Sequence, residues 1–286
     1  MAGAPDTRPG RCSPTALRFP TLPKLTKYGA IAAATLQNRL AYFYDQFFRS
    51  LFLVVIIYVF VALWRTTYGV TGATRISGYT LPEMIWYLVA TETIVMSVPR
   101  LVGRIDEEVR SGDLAYTLSR PYHYLLFNYA TFLGEAALLL VVNFAVSAAV
   151  AAATVGGFPY RWEGLPVQLL AVLLSLSLNF FLLISIGLLA FWLEDTVGLY
   201  LLVDRTQWIL GGLLLPVEVF PLPLRRIALH LPFRYVIAGP ARLLVKYDRG
   251  EVPAVLGNQA LWLSVFILVA FGIYALGVKR VNANGG

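Results

Sequence analysis

The stretch Tyr124–Val155, YLLFNYATFLGEAALLLVVNFAVSAAVAAATV, is apolar almost throughout and carries a single charged residue, Glu135. The hydrocarbon core of a bilayer is about 30 Å thick, so a helix of about 20 apolar residues crosses it. Comparable continuous runs recur at about 49–64, 81–98, 166–193, 196–215 and 258–278. The strands of an outer-membrane barrel would alternate apolar and polar residues over about 10 positions, and no such alternation occurs here. Of the 286 residues 58% are hydrophobic and 14% charged, whereas a soluble domain carries about 25% charged residues. These features predict an all-α integral membrane protein with six transmembrane helices.

The flanks of these runs predict the rest of the layout. Residues 1–23 hold Arg8, Arg11 and Arg18 among prolines, with no apolar core segment. They read as a disordered cytosolic tail rather than a signal peptide. The one cysteine, Cys12, lies in this tail, so neither an intramolecular disulfide nor a cysteine metal site is expected. Over 24–48, Leu25, Tyr28, Ile31, Ala32, Leu36, Leu40 and Phe43 recur at helical spacing, with Lys24, Lys27, Gln37, Asn38 and Arg39 between them. A basic amphipathic helix of this kind lies in the membrane interface, or else it is the cytosolic start of the first span.

Basic residues set the orientation. Lys24, Lys27 and Arg39 precede the first span, Arg100, Arg104, Arg110 and Arg120 follow the second, and Lys279 and Arg280 follow the last. Arg75, Arg161 and a cluster over 225–249 lie on the other side. The balance favours both termini in the cytosol. An excess of arginine over lysine suits a GC-rich bacterial genome, and hence a bacterial cytoplasmic (inner) membrane.

Segment 216–253 contains Pro216, Pro221, Pro223, Pro232, Pro240 and Pro253, yet stays largely apolar. Proline inside a helix costs about 3 kcal/mol or more. Broken backbone at membrane depth persists only where protein or a wet cavity satisfies it. Two short helices, near 224–231 and 235–246, are expected here, either dipping into the outer leaflet or lying as an amphipathic surface loop.

Residues 100–121, RLVGRIDEEVRSGDLAYTLSRP, form a charged island with four basic and four acidic residues. Leu101, Val102, Ile105 and Val109 share one helical face. Arg104, Glu107 and Glu108 occupy another, Asp106 and Arg110 form an i,i+4 pair, and Gly112 stops the helix. On the pattern alone a protein-docking element and a solvated loop helix are equally open. No phosphate-binding loop and no His-Glu-x-x-His occur, and His123 and His230 lie far apart. An enzyme reading therefore has little to stand on.

The stretch Glu107-Glu-Val-Arg-Ser-Gly-Asp-Leu-Ala-Tyr-Thr-Leu-Ser-Arg-Pro121 is similar to the loop after the second span in permeases of type-2 ATP-binding-cassette (ABC) exporters. GGLLLPVEVFP over 211–221 and LPFRYVIAGP over 231–240 also resemble that family. The resemblance implies that 24–48 is a connecting helix and that 100–112 is a coupling helix seated in a cytosolic ATPase. Arg104, Ile105, Asp106, Glu107, Glu108 and Arg110 would make that contact. It further implies re-entrant extracellular helices over 216–253, between spans five and six, involving Pro216, Pro221, Pro232, Arg234 and Pro240. The implied partners are a second permease, identical or homologous, and two ATPase subunits, which bind the ATP and Mg; this chain holds no cofactor or metal itself. The tail before Lys24 is longer than the family pattern needs.

Glu92, Glu135, Asp204 and Arg205 fall within expected spans, where each charge costs about 2.5–3.5 kcal/mol near a helix centre. Asp204 and Arg205 point about 100° apart on a helix. They pair with Glu92 or with the second permease, or snorkel at a helix end. For Glu135, proton relay, substrate contact and a structural hydrogen bond are all open. An ion-coupled secondary transporter using these carboxylates is the alternative function, although such carriers often show inverted repeats and no repeat is found. Asn143, Asn179, Ser147, Ser175, Ser177 and Ser185 read as interhelical hydrogen-bond donors and acceptors. Trp64, Tyr68, Trp86, Tyr87 and Trp162 read as an outer aromatic belt, and Phe191 and Trp192, beside Glu194 and Asp195, as the inner one.

Overall fold

The computed structural model describes residues 24–40, 43–118, 122–158, 162–193 and 195–284. The expected tail with Cys12, together with Arg120, Arg161 and Glu194, lies outside these ranges. In chain order the helices are α1 (Lys24–Leu40), α2 (Phe43–Thr71), α3 (Leu81–Met96), α4 (Leu101–Ser111), α5 (Asp113–Leu118) and α6 (Tyr124–Val155). They continue with α7 (Leu165–Gly187), α8 (Val197–Leu210), α9 (Leu222–His230), α10 (Phe233–Val236), α11 (Ala238–Val245) and α12 (Val252–Asn284). No strand occurs among the described residues.

Among the described residues five stretches are long and apolar enough to cross a membrane: Ser50–Thr71, Leu81–Ser111, Tyr124–Val155, Leu165–Phe191 and Val252–Lys279. The run expected over 196–215 differs. Its helix, α8, has 14 residues, roughly 21 Å at about 1.5 Å per residue, short of the 30 Å or so of a hydrocarbon core. The helix stops at a Gly-Gly step, where Gly212 takes φ +79, a conformation that glycine adopts without steric cost.

α3 and α7 form the centre of the bundle, while α2 and α12 are largely unenclosed. The uncovered faces of α2 and α12 carry Phe52, Val59, Leu261 and Leu268, side chains as apolar as lipid tails. α1 lies along α6, where Gly134 allows the backbone of Ala32 to approach; a Cβ at 134 would lie 2.5 Å from the Ala32 carbonyl oxygen. One buried cluster, around Ile57, Met84, Trp86 and Leu88, joins α2, α3 and α11. Another, around Leu101, Ile105, Phe132, Phe180 and Ile184, joins α4, α6 and α7.

The expected outer aromatic belt is internal. Trp64, Tyr68, Trp86 and Tyr87 are each no more than 8% exposed, and the side chain of Trp162 lies outside the described set. Trp86 packs 4.5 Å from Phe158 and Tyr87 5.9 Å from Tyr79, centroid to centroid. Large rings bury the most apolar surface where they fill the interior. Phe191 is likewise buried, whereas Trp192 is exposed.

The proline-rich segment folds into three short helices rather than two, preceded by a 3₁₀ turn at Val217–Val219. Pro216, Pro221 and Pro232 stand at the N-caps of that turn, α9 and α10, while Pro223 and Pro240 fall in the first turns of α9 and α11. These are positions where a missing N–H leaves no hydrogen bond unmade. Proline placement, rather than a change in polarity, therefore divides the segment.

Candidate functional site

α4 buries Leu101, Val102 and Ile105 against α7 and the 3₁₀ turn Leu188–Phe191. Ile105 lies so close to α7 that a Cβ at Gly187 would stand 3.2 Å from its Cδ1. Gly112 closes the helix at φ +80. The charged residues on this scaffold do not all face outward. Arg104 donates to Asn128 Oδ1 at 3.3 Å and lies 3.6 Å from Glu135 Oε1, both on α6. Tyr124 Oη donates to Glu108 Oε2 at 2.8 Å. Asp106 accepts from the Thr196 N–H at 3.2 Å and from its hydroxyl at 2.7 Å, and pairs with Arg110 at 2.9 Å. Thr196 is the N-cap of α8, so a carboxylate on α4 holds the N-terminus of α8.

The expected outward face of Arg104, Glu107 and Glu108 is thus reduced. Arg104 and Glu108, four residues apart, turn together toward α6. Glu107 is exposed and makes no hydrogen bond or ion pair among the described residues, and Arg110 is largely exposed beside Asp195 at 3.8 Å.

A cavity of about 580 Å³ lies next to this helix, among α2, α3, α6, α7 and α8. Glu135, Asp204 and Arg205 line it together with Arg100, the N-cap residue of α4. Asn143, Asn179 and Gln207 add polar groups, linked in part by the Gln207 to Asn179 bond of 3.2 Å. Arg205 stacks over the Trp208 ring at 3.9 Å, and neither Asp204 nor Arg205 forms an ion pair among the described residues. Glu92 is not part of this constellation. It is 2% exposed within α3, and its Oε2 has no hydrogen-bond partner among the described residues. The four intramembrane charges of the sequence therefore separate into three around the cavity and one enclosed elsewhere, so Asp204 and Arg205 do not pair with Glu92.

The polar side chains of the spans have two uses. Asn143 accepts from Ser50 at 2.6 Å and donates to Ser97 at 3.0 Å, Thr93 meets Ser147 at 3.1 Å, and Tyr129 meets Ser177 at 2.7 Å. These tie helices together as expected, whereas Ser185 bonds back to Phe181 of its own helix at 2.6 Å. The second use goes beyond the sequence reading: side chains of the long helices satisfy the broken backbone of 211–245. Tyr87 donates to Gly212 O at 2.6 Å and Thr91 to Leu213 O at 2.9 Å. Ser175 donates to Val236 O, Gln168 to Leu243 O at 3.1 Å, and Gln259 to Tyr235 O at 2.9 Å. Glutamines in otherwise apolar runs are the one signal of this use that the sequence carries.

Charge also ties this segment down. Arg242 pairs with both Glu218 and Glu251, and Arg234 lies 3.9 Å from Glu218. Lys246 donates to Gly78 O and stands 4.0 Å over the Tyr79 ring. Burial lowers the Lys246 pKa and raises that of Tyr79. Among the described residues no three His, Cys, Asp or Glu side chains gather as a metal site.

Long apolar helices, a polar cavity between them and a charged helix packed beneath it define a multi-pass membrane transport protein. Residues 52–285 match the family described as ABC-2 family transporter protein, and the chain belongs to that family. It is an ABC transporter permease, a membrane transport subunit rather than an ATPase. No curated protein matches the chain significantly.

Proposed function

We propose that the chain is the permease subunit of an ATP-driven ABC exporter, forming a substrate path with a second permease and driven by two separate cytosolic ATPase subunits that bind ATP and Mg. The observation that carries this reading is the two-sided character of α4. One side is fixed to α6, α7 and α8 through Arg104, Asp106 and Ile105, while the other presents the exposed Glu107 as a contact for a partner. A short helix held in this way transmits a push as a rigid body. Arg104 passes it to Glu135, a wall residue of the cavity.

α1 serves as the connecting helix and 100–112 as the coupling helix. α8 makes up the fifth of six crossings together with the segment after it, in which α9, α10 and α11 re-enter from the outer side. Both termini then lie in the cytosol of a bacterial inner membrane. An ion-coupled carrier would need Glu92, Glu135 and Asp204 to act in series, and Glu92 does not line the cavity shared by the other two. The test is Glu107→Lys in the complex assembled from native membranes. Insertion should remain intact while substrate-stimulated ATPase activity and recovery of the ATPase subunit collapse. Unchanged coupled ATPase activity would overturn the assignment.

A further inference from the structure

The cavity is amphipathic, and its charge is unbalanced. Four charged residues line it: Arg100, Glu135, Asp204 and Arg205. Glu135 already faces Arg104 at 3.6 Å. That leaves two arginines against the single carboxylate of Asp204, and neither Arg100 nor Arg205 forms an ion pair among the described residues. Asp204, Arg205 and Arg100 line this cavity together with Tyr200. Stacking on Trp208 engages the face of the Arg205 guanidinium and leaves its N–H edge available. Two guanidinium groups at one cavity, neither held in an ion pair among the described residues, suit an oxyanion.

Another part of the wall is apolar. Phe52, Leu138 and Leu201 line the same cavity, and Phe52 and Leu201 are 65% and 45% exposed. The pocket therefore continues onto the uncovered apolar surfaces of α2 and α8. Its volume of about 580 Å³ falls within the 300–1,000 Å³ or so typical of small-molecule sites.

We propose that this cavity binds an amphiphile with an acidic headgroup, its phosphate or carboxylate held by Arg100 and Arg205 and its apolar part leaving past Phe52 and Leu201. The proposal rests on the permease reading only for its physiological meaning. The binding itself belongs to the chain alone.

The experiment uses the full chain purified in detergent, without ATPase subunits. Fluorescent phosphatidylglycerol is compared with the equally labelled diacylglycerol, and a dansylated fatty acid with its methyl ester. The acidic member of at least one pair should bind about tenfold more tightly, as expected for a charge-assisted contact. Preference within the phosphatidylglycerol pair identifies a membrane lipid as the source. Preference confined to the fatty-acid pair identifies a single-chain acidic amphiphile. Arg100→Gln combined with Arg205→Gln should abolish the preference. Asp204→Asn should strengthen acidic binding severalfold, a gain that misfolding cannot produce. Equal binding within both pairs, or no gain in Asp204→Asn, overturns the proposal. Because no ATP is involved, its failure is distinguishable from failure of the Glu107→Lys test.

Discussion

Arg104 is the residue through which the surface helix and the cavity meet. Its guanidinium bridges Asn128 and Glu135, and the pair is only partly shielded, with side-chain exposures of 33% and 10%. Partial screening places its worth below that of a fully buried pair. A double-mutant cycle with Arg104→Ala and Glu135→Ala, read by thermal unfolding in detergent, should give a coupling energy of about 1 kcal/mol. Additive losses would mean that the two side chains do not act on one another. Glu135 is conspicuous in the sequence as the only charge in Tyr124–Val155, but its partner is not, because Arg104 lies on a separate helix. Helical spacing groups Arg104 with Glu108, and that much is legible; which way the pair points depends on Tyr124, Asn128 and Glu135.

Among the elements, the segment after α8 is built from pieces too short to hold themselves. α10 has four residues and α11 eight, so their ends expose many unpaired carbonyls. Gln259 of α12 donates to both Ala171 O at 3.0 Å and Tyr235 O at 2.9 Å, joining α7 and α10. Gln259→Leu keeps the size but removes both of these interhelical bonds, and should cost about 1–3 kcal/mol, read as a lowered thermal midpoint. Asn258→Leu, one residue earlier, removes only a bond to its own helix at Ala254 and should cost less than about 1 kcal/mol. Equal losses would show that Gln259 has no special bracing role. The breaks themselves are legible from the prolines. Their number is not, because Ile237, between α10 and α11, is not a residue that announces a break.

At the scale of the whole molecule, the five crossing-length helices among the described residues and the short α8 leave the topology to be decided by the segment around α8. The proposed six crossings would put Ser111 and Arg249 on opposite sides of the membrane. Both are exposed, so single cysteines introduced at each in a Cys12→Ser background will report it. A membrane-impermeant maleimide added to sealed right-side-out vesicles should label Arg249→Cys and spare Ser111→Cys. The same outcome at both positions, labelled or spared, would mean that α8 and its following segment do not make a crossing. The permease reading also predicts that the chain alone releases no phosphate from ATP and gains that activity only with its ATPase subunits. Phosphate release by the purified chain would be incompatible with it.

The membrane class, the long apolar helices, the amphipathic α1, the limits of α4 and the presence of proline breaks all follow from the order of residues along the chain. Each of these is a local property of period, length or backbone chemistry, and each survives any arrangement of neighbours. Which charges meet is a matter of packing in three dimensions. Packing encloses Glu92, gathers Asp204, Arg205, Glu135 and Arg100 around one cavity, and turns Trp64, Tyr68, Trp86 and Tyr87 inward. It also sets Tyr87, Thr91, Gln168 and Gln259 against the broken backbone. Those contacts join residues far apart along the chain, and a one-dimensional pattern carries polarity without carrying the partner that satisfies it.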